Sequence, residues 1–215
     1  MNIYLLSGLG ADDWIYQNLT FPKGYNVHFI PWLEPEENED LVDYVHRMAS
    51  SIDGTQAFIL CGVSFGGICA QEISRFLKPE KLILISTVTS RKEKPAQMNL
   101  GSDLGLSHVM PAAMFKWAAV QSSPVLGIYD KGEIAAFREM AERFSPEYYK
   151  WAVTAIGKWL GGALALPTLR LHGDKDKIFP IEKIEGALEI EGGEHIMVLH
   201  RGAELSKIIA NFLAQ

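Results

Sequence analysis

The segment Lys81 to Thr87 reads KLILIST and is apolar on both faces of an extended chain. Side chains along a strand alternate between faces, so such a run needs cover on both sides. That requirement points to a parallel sheet between two layers of helices. Neighbouring segments fit. Asn2 to Leu6 (NIYLL), Tyr25 to Ile30 (YNVHFI), Ala57 to Cys61 (AFILC), Leu166 to His172 and Ala187 to Ile190 read as further strands. Helical spacing links them. Asp12 or Asp13 can cap a short helix through Trp14 to Asn18, Leu41, Tyr44, Val45 and Met48 mark a helix over 38–52, and Ser64 to Leu77 follows the third strand. The alternation of strand and helix predicts a doubly wound α/β architecture. No internal repeat or low-complexity segment stands out.

Between 89 and 165 no convincing strand occurs. Helices are expected over 107–120, 131–143 and 146–159, in a stretch rich in aromatics: Phe115, Trp117, Tyr129, Phe137, Phe144, Tyr148, Tyr149, Trp151 and Trp159. The α/β pattern then resumes and closes with a helix over 196–213. This organisation predicts a core of residues 1–88 and 166–215, with residues 89–165 inserted as a helical cap.

The net charge of −6 argues against a nucleic-acid surface. Arg91-Lys92-Glu93-Lys94 reads as a short solvated loop. Cys61 and Cys69 fit no metal spacing and read as buried small hydrophobes. The N-terminus lacks a basic signal-peptide region, and no stretch approaches the ~18 apolar residues of a membrane span. A soluble, cytoplasmic protein is expected.

The chemistry-bearing motif is Gly62-Val63-Ser64-Phe65-Gly66, G-x-S-x-G, set between a strand and a helix. In that context the serine sits on a sharp turn that exposes its hydroxyl, and the glycines let strand and helix approach. A serine nucleophile needs a base, a group to orient the base, and donors for the oxyanion. His195 lies in a glycine loop (Glu191-Gly192-Gly193-Glu194-His195) after the last short strand. Asp176 lies in the loop after the preceding strand (His172-Gly173-Asp174-Lys175-Asp176), with Asp174 as its competitor. The order Ser, acid, His is the one this motif requires. Oxyanion donors are expected from the backbone N–H of Phe65 and from the loop Ser7-Gly8-Leu9-Gly10. Leu9 is favoured there, with Gly10 second. Gly8, Trp14 and the Phe65 ring are expected at the substrate pocket. His172 reads as a core residue, and His28, His46, His108 and His200 lack supporting context. No metal site and no cofactor are expected.

The SGLG loop, GVSFGG elbow, HGDKDKIFP acid loop and GGEH histidine loop together resemble a small member of the α/β-hydrolase superfamily. The resemblance spans nearly the whole chain. It implies Ser64 as nucleophile, His195 as base, Asp176 as its orienter, Leu9 and Phe65 as oxyanion donors, and a cap over the pocket. It further implies a mostly parallel sheet of about six strands, because the usual two N-terminal strands are missing. Two local departures stand out. Ser7 replaces the family's usual histidine at the head of the first loop. Asp176 and His195 are only 19 positions apart, so a very short helix is expected around 180–186. The activity implied is hydrolysis of a small carboxylic ester or thioester. The alternatives are a lyase, a cofactor-free haloperoxidase, or a catalytically silent ligand-binding protein. The expected partner is a small ester-like molecule, not nucleic acid or membrane, with a homodimer left open.

Overall fold

The computed structural model describes residues 1–163 and 165–215; Leu164, inside the expected 89–165 segment, lies outside the described residues. Among the described residues one sheet holds six strands: β1 (Asn2–Leu6), β2 (Asn26–Phe29), β3 (Phe58–Val63), β4 (Lys81–Ile85), β5 (Thr168–Gly173) and β6 (Leu188–Ile190). Their spatial order is β2-β1-β3-β4-β5-β6, and every neighbouring pair is parallel. The sheet thus agrees with the architecture read from the sequence.

Strict alternation along the strands builds two cores. Tyr4, Leu6, Phe58, Leu60, Leu82 and Leu84 face one cluster, packed with Tyr44, Phe65 and Ile68. Ile3, Leu5, Ile59, Cys61, Ile83 and Ile85 face the other, packed with Leu199, Leu205 and Ile209. The first cluster is covered by α1 (Leu41–Met48) and α2 (Phe65–Phe76). Cys61 and Cys69 are buried free thiols.

Helices α3 (Ala96–Asp103), α4 (Leu106–Val109), α5 (Ala112–Val120), α6 (Ser123–Leu126), α7 (Lys131–Glu142) and α8 (Pro146–Lys158) lie between β4 and β5. Three expectations need correction. The helix expected over 107–120 is two, because Pro111 cannot continue the first and precedes the second. The closing helix is likewise two, α9 (Met197–His200) and α10 (Gly202–Leu213), separated at Arg201. The loop at 91–94 is not wholly solvated: Glu93 and Lys94 are only 3% and 1% exposed. The Lys94 ammonium donates to the carbonyls of Ile156, Gly157 and Trp159 at 2.7–2.8 Å. These sit at the C-terminal end of α8, where unpaired carbonyls and the helix dipole favour a cation. Glu93 pairs with Arg170 at 2.9 Å. Among the described residues no helix is long and apolar enough to cross a membrane.

The chain builds β2 on one side of β1 and then β3 to β6 on the other. The reversal leaves a crevice beyond the C-terminal ends of β1 and β3, where open α/β sheets hold ligands. Ser7-Gly8 leaves β1 there, and Ser64 follows β3 directly.

Candidate active site

Ser64 lies between β3 and α2 with φ 52° and ψ −118°, a strained conformation for a residue bearing a Cβ. Its neighbours enforce the bend. The Ser64 N–H donates to Ile85 O at 3.0 Å, and its carbonyl accepts from the Thr87 hydroxyl at 2.7 Å and Gly67 N–H at 3.0 Å. A Cβ on Gly66 would overlap the carbonyl oxygens of Leu6 and Ser7, and one on Gly62 would come within 2.6 Å of Gly67 Cα. Gly62 lets β3 and α2 close on each other, and Gly66 lets α2 close on the end of β1.

His195 Nε2 is 2.9 Å from Ser64 Oγ, and His195 Nδ1 is 2.8 Å from Asp176 Oδ2. A carboxylate only accepts, so Nδ1 carries a proton and Nε2 is free to take one from the serine. Asp176 is fixed in turn. Its Oδ1 accepts from the N–H groups of Ile178 (2.8 Å) and Phe179 (2.9 Å). His172, fully inside the core, donates Nε2–H to Phe179 O at 2.8 Å and lies 3.2 Å from Asp176 Oδ2. Asp174 is engaged elsewhere, accepting from Gly192 N–H at 2.6 Å and pairing with Lys175. A short 3-10 turn, Ile181–Lys183, is all that lies between the acid loop and β6.

Burial alone would push the Asp176 carboxyl upward. The His195 charge, together with hydrogen bonds from His172, His195 and the Phe179 N–H, outweighs it and holds the group well below the usual carboxylate range. A folded-state value below the unfolded one means the carboxylate's stabilisation is complete above about pH 4 and is lost as pH falls through the folded-state value. Urea-unfolding midpoints measured from pH 5 down to pH 2 are therefore expected to show the stability difference between wild type and Asp176→Asn shifting only below about pH 4.

The serine opens on a cavity of about 490 Å³. Gly8, Leu9, Ser64 and His195 form its polar end, and Met98, Met110, Met114, Phe115, Trp117 and Ile156 much of its wall. No Asp, Glu, Lys or Arg lines it among the described residues. A larger concavity of about 1060 Å³ runs along β4 and β5, where Glu93 pairs with Arg170, but it contains neither Ser64 nor His195.

Several solved structures share this arrangement of strands and helices. MenH from S. aureus superposes with a TM-score of 0.75 at 19% identity, covering 100% of this chain and 93% of that one. A hydrolase from Pseudomonas aeruginosa PA01 gives 0.74 at 16%, covering 100% and 90%. The enol-lactonase from Burkholderia xenovorans LB400 gives 0.69 at 16%, covering 100% and 91%. The fold is that of the α/β-hydrolases. No family model and no curated protein sequence matches the chain.

Of the pocket residues expected in this α/β-hydrolase fold, Gly8 lines the cavity and Trp14 does not. Trp14 sits on the 3-10 turn Asp13–Tyr16, capped by Asp12, and packs against the second core; its neighbour Ile15 reaches the cavity instead. The Phe65 ring is also core rather than pocket, stacked on Trp32 at 5.1 Å. The Leu9 and Phe65 N–H groups have no hydrogen-bond acceptor among the described residues, whereas the Gly10 N–H faces Tyr148 Oη at 3.4 Å. Ser7 is buried and closes the loop by donating to Ala11 O at 2.6 Å. Sequence reasoning missed the three cavity methionines and Trp32. The methionines carry no motif, and Trp32 is marked only by a tryptophan following Pro31 at the end of a strand.

Proposed function

We propose that the protein is a serine hydrolase acting on neutral, largely apolar carboxylic esters or thioesters. The observation that carries the reading is the hydrogen-bonded line Ser64–His195–Asp176, at 2.9 and 2.8 Å, opening on an uncharged cavity. Ser64 Oγ attacks the acyl carbon while His195 Nε2 takes its proton. The carbonyl electrons move onto oxygen, which faces the Leu9 and Phe65 N–H groups. The intermediate collapses, and the alkoxide or thiolate leaves with the proton from His195. Water then attacks the acyl-serine and gives its proton to His195; the second collapse releases the acid as His195 passes that proton to Ser64 Oγ, restoring both groups. Asp176 holds the imidazole in the required tautomer and stabilises its charged form. Residues 89–165 act as the cap, and their methionines supply a pliable wall for acyl chains of differing shape.

A panel of p-nitrophenyl esters, alkyl thioesters and a simple lactone tests the reading. Neutral acyl chains are expected to be preferred over chains ending in a carboxylate. Preference for an anionic acyl group would contradict the substrate class, and no turnover across the panel would contradict hydrolysis.

A further inference from the structure

We propose that Trp32 is a positioning residue for the oxyanion site, fixing both donor groups from behind. This rests on the hydrolase reading above. The Gly8 carbonyl and the Leu9 N–H belong to one peptide unit. Among the described residues no peptide bond is cis, so the two groups point in opposite directions. The carbonyl is held twice: the Trp32 indole Nε1–H donates to Gly8 O at 3.0 Å, and the Ala11 N–H donates to it at 3.0 Å. Both lone-pair directions are therefore occupied on the far side of the peptide, which turns the Leu9 N–H the other way. Ser64 is close at hand, because a Cβ built on Gly8 would lie 3.6 Å from Ser64 Cβ.

The same indole governs the second donor. Trp32 stacks on the Phe65 ring with centroids 5.1 Å apart and planes 9° from parallel. Phe65 is the first residue of α2, and its N–H, next in the chain after the nucleophile, has no acceptor among the described residues. One rigid ring thus ties the β1 loop to the start of α2. Trp32 is itself held. The Tyr44 hydroxyl donates to Leu33 O at 2.7 Å and accepts from Leu33 N–H at 3.0 Å, and Tyr148 packs 6.1 Å away on the same ring. A side chain that only filled the core would not need its single polar hydrogen aimed at the one carbonyl that sets an oxyanion donor. Preorganised donors contribute because they need no reorganisation as charge develops.

Two replacements separate positioning from packing. Trp32→Phe keeps a ring on Phe65 and removes the indole N–H. Incorporation of 3-benzothienylalanine at position 32 keeps the bicyclic shape and exchanges only the N–H for sulfur, so it decides the matter if Trp32→Phe folds poorly. With p-nitrophenyl hexanoate, both are expected to lower kcat about 10–100-fold, part of the ~10²–10³ that loss of one oxyanion donor costs. KM is expected to stay within about threefold, and binding of an alkyl trifluoromethyl ketone, which forms a tetrahedral adduct on serine, to weaken by a factor similar to the fall in kcat. A purely structural role would lower the unfolding temperature without that pattern. A benzothienylalanine variant with wild-type kcat, or a loss confined to KM, would overturn the role of Trp32. A wild type inert to the ester and to the ketone would instead overturn the hydrolase reading on which the role depends.

Discussion

His195→Ala is expected to lower kcat for a p-nitrophenyl ester about 10⁶-fold, the scale seen when a serine hydrolase loses its base. The cause lies in one distance. Ser64 Oγ has His195 Nε2 at 2.9 Å and its backbone is already strained into the presenting turn. Without the imidazole, the hydroxyl attacks with its proton still attached. The residual rate then rests on binding and on the Leu9 and Phe65 donors. Stopped-flow release of p-nitrophenol measures it, and a fall of less than about 100-fold would mean that another group accepts the proton.

Asp176→Asn is expected to cost about 10⁴-fold in kcat while leaving the backbone in place. Oδ1 of Asp176 is bound by two N–H donors, from Ile178 and Phe179. Asparagine satisfies them only by placing its carbonyl oxygen there, which directs its NH₂ at His195 Nδ1. That nitrogen must then accept, so the proton moves to Nε2, where it blocks uptake from Ser64. The NH₂ also meets His172 Nε2–H, a second donor 3.2 Å from the original oxygen. Comparison of kcat in variant and wild type checks this prediction. Near-wild-type turnover would show that the carboxylate does not set the tautomer.

Local pattern made much of this fold legible. β1 matches the expected Asn2–Leu6, and the remaining strands agree within a few residues, because apolar runs between helical segments leave few alternatives. Ser64, Asp176 and His195, which the structure brings into one hydrogen-bonded line, each stand in a loop with its own glycine punctuation and in a fixed order. What was not legible depends on partners distant in sequence. Lys94 looks like surface charge until the α8 carbonyls 62–65 residues away are brought to it. Trp32 looks like ordinary core until its indole meets Gly8 O, 24 residues earlier. The cavity wall is set by how α3, α5 and α8 pack, which no periodicity specifies. Trp14, expected at the pocket, packs on the second core from the 3-10 turn Asp13–Tyr16, and Ile15 reaches the cavity instead.

The central claim is that Ser64 is an activated nucleophile. Reaction of the intact protein with a fluorophosphonate, read by whole-protein mass spectrometry in wild type and Ser64→Ala, tests it most directly. One adduct per wild-type chain, absent from the folded variant, is the expected result. An unlabelled but folded wild type, or equal labelling of the two proteins, would contradict it.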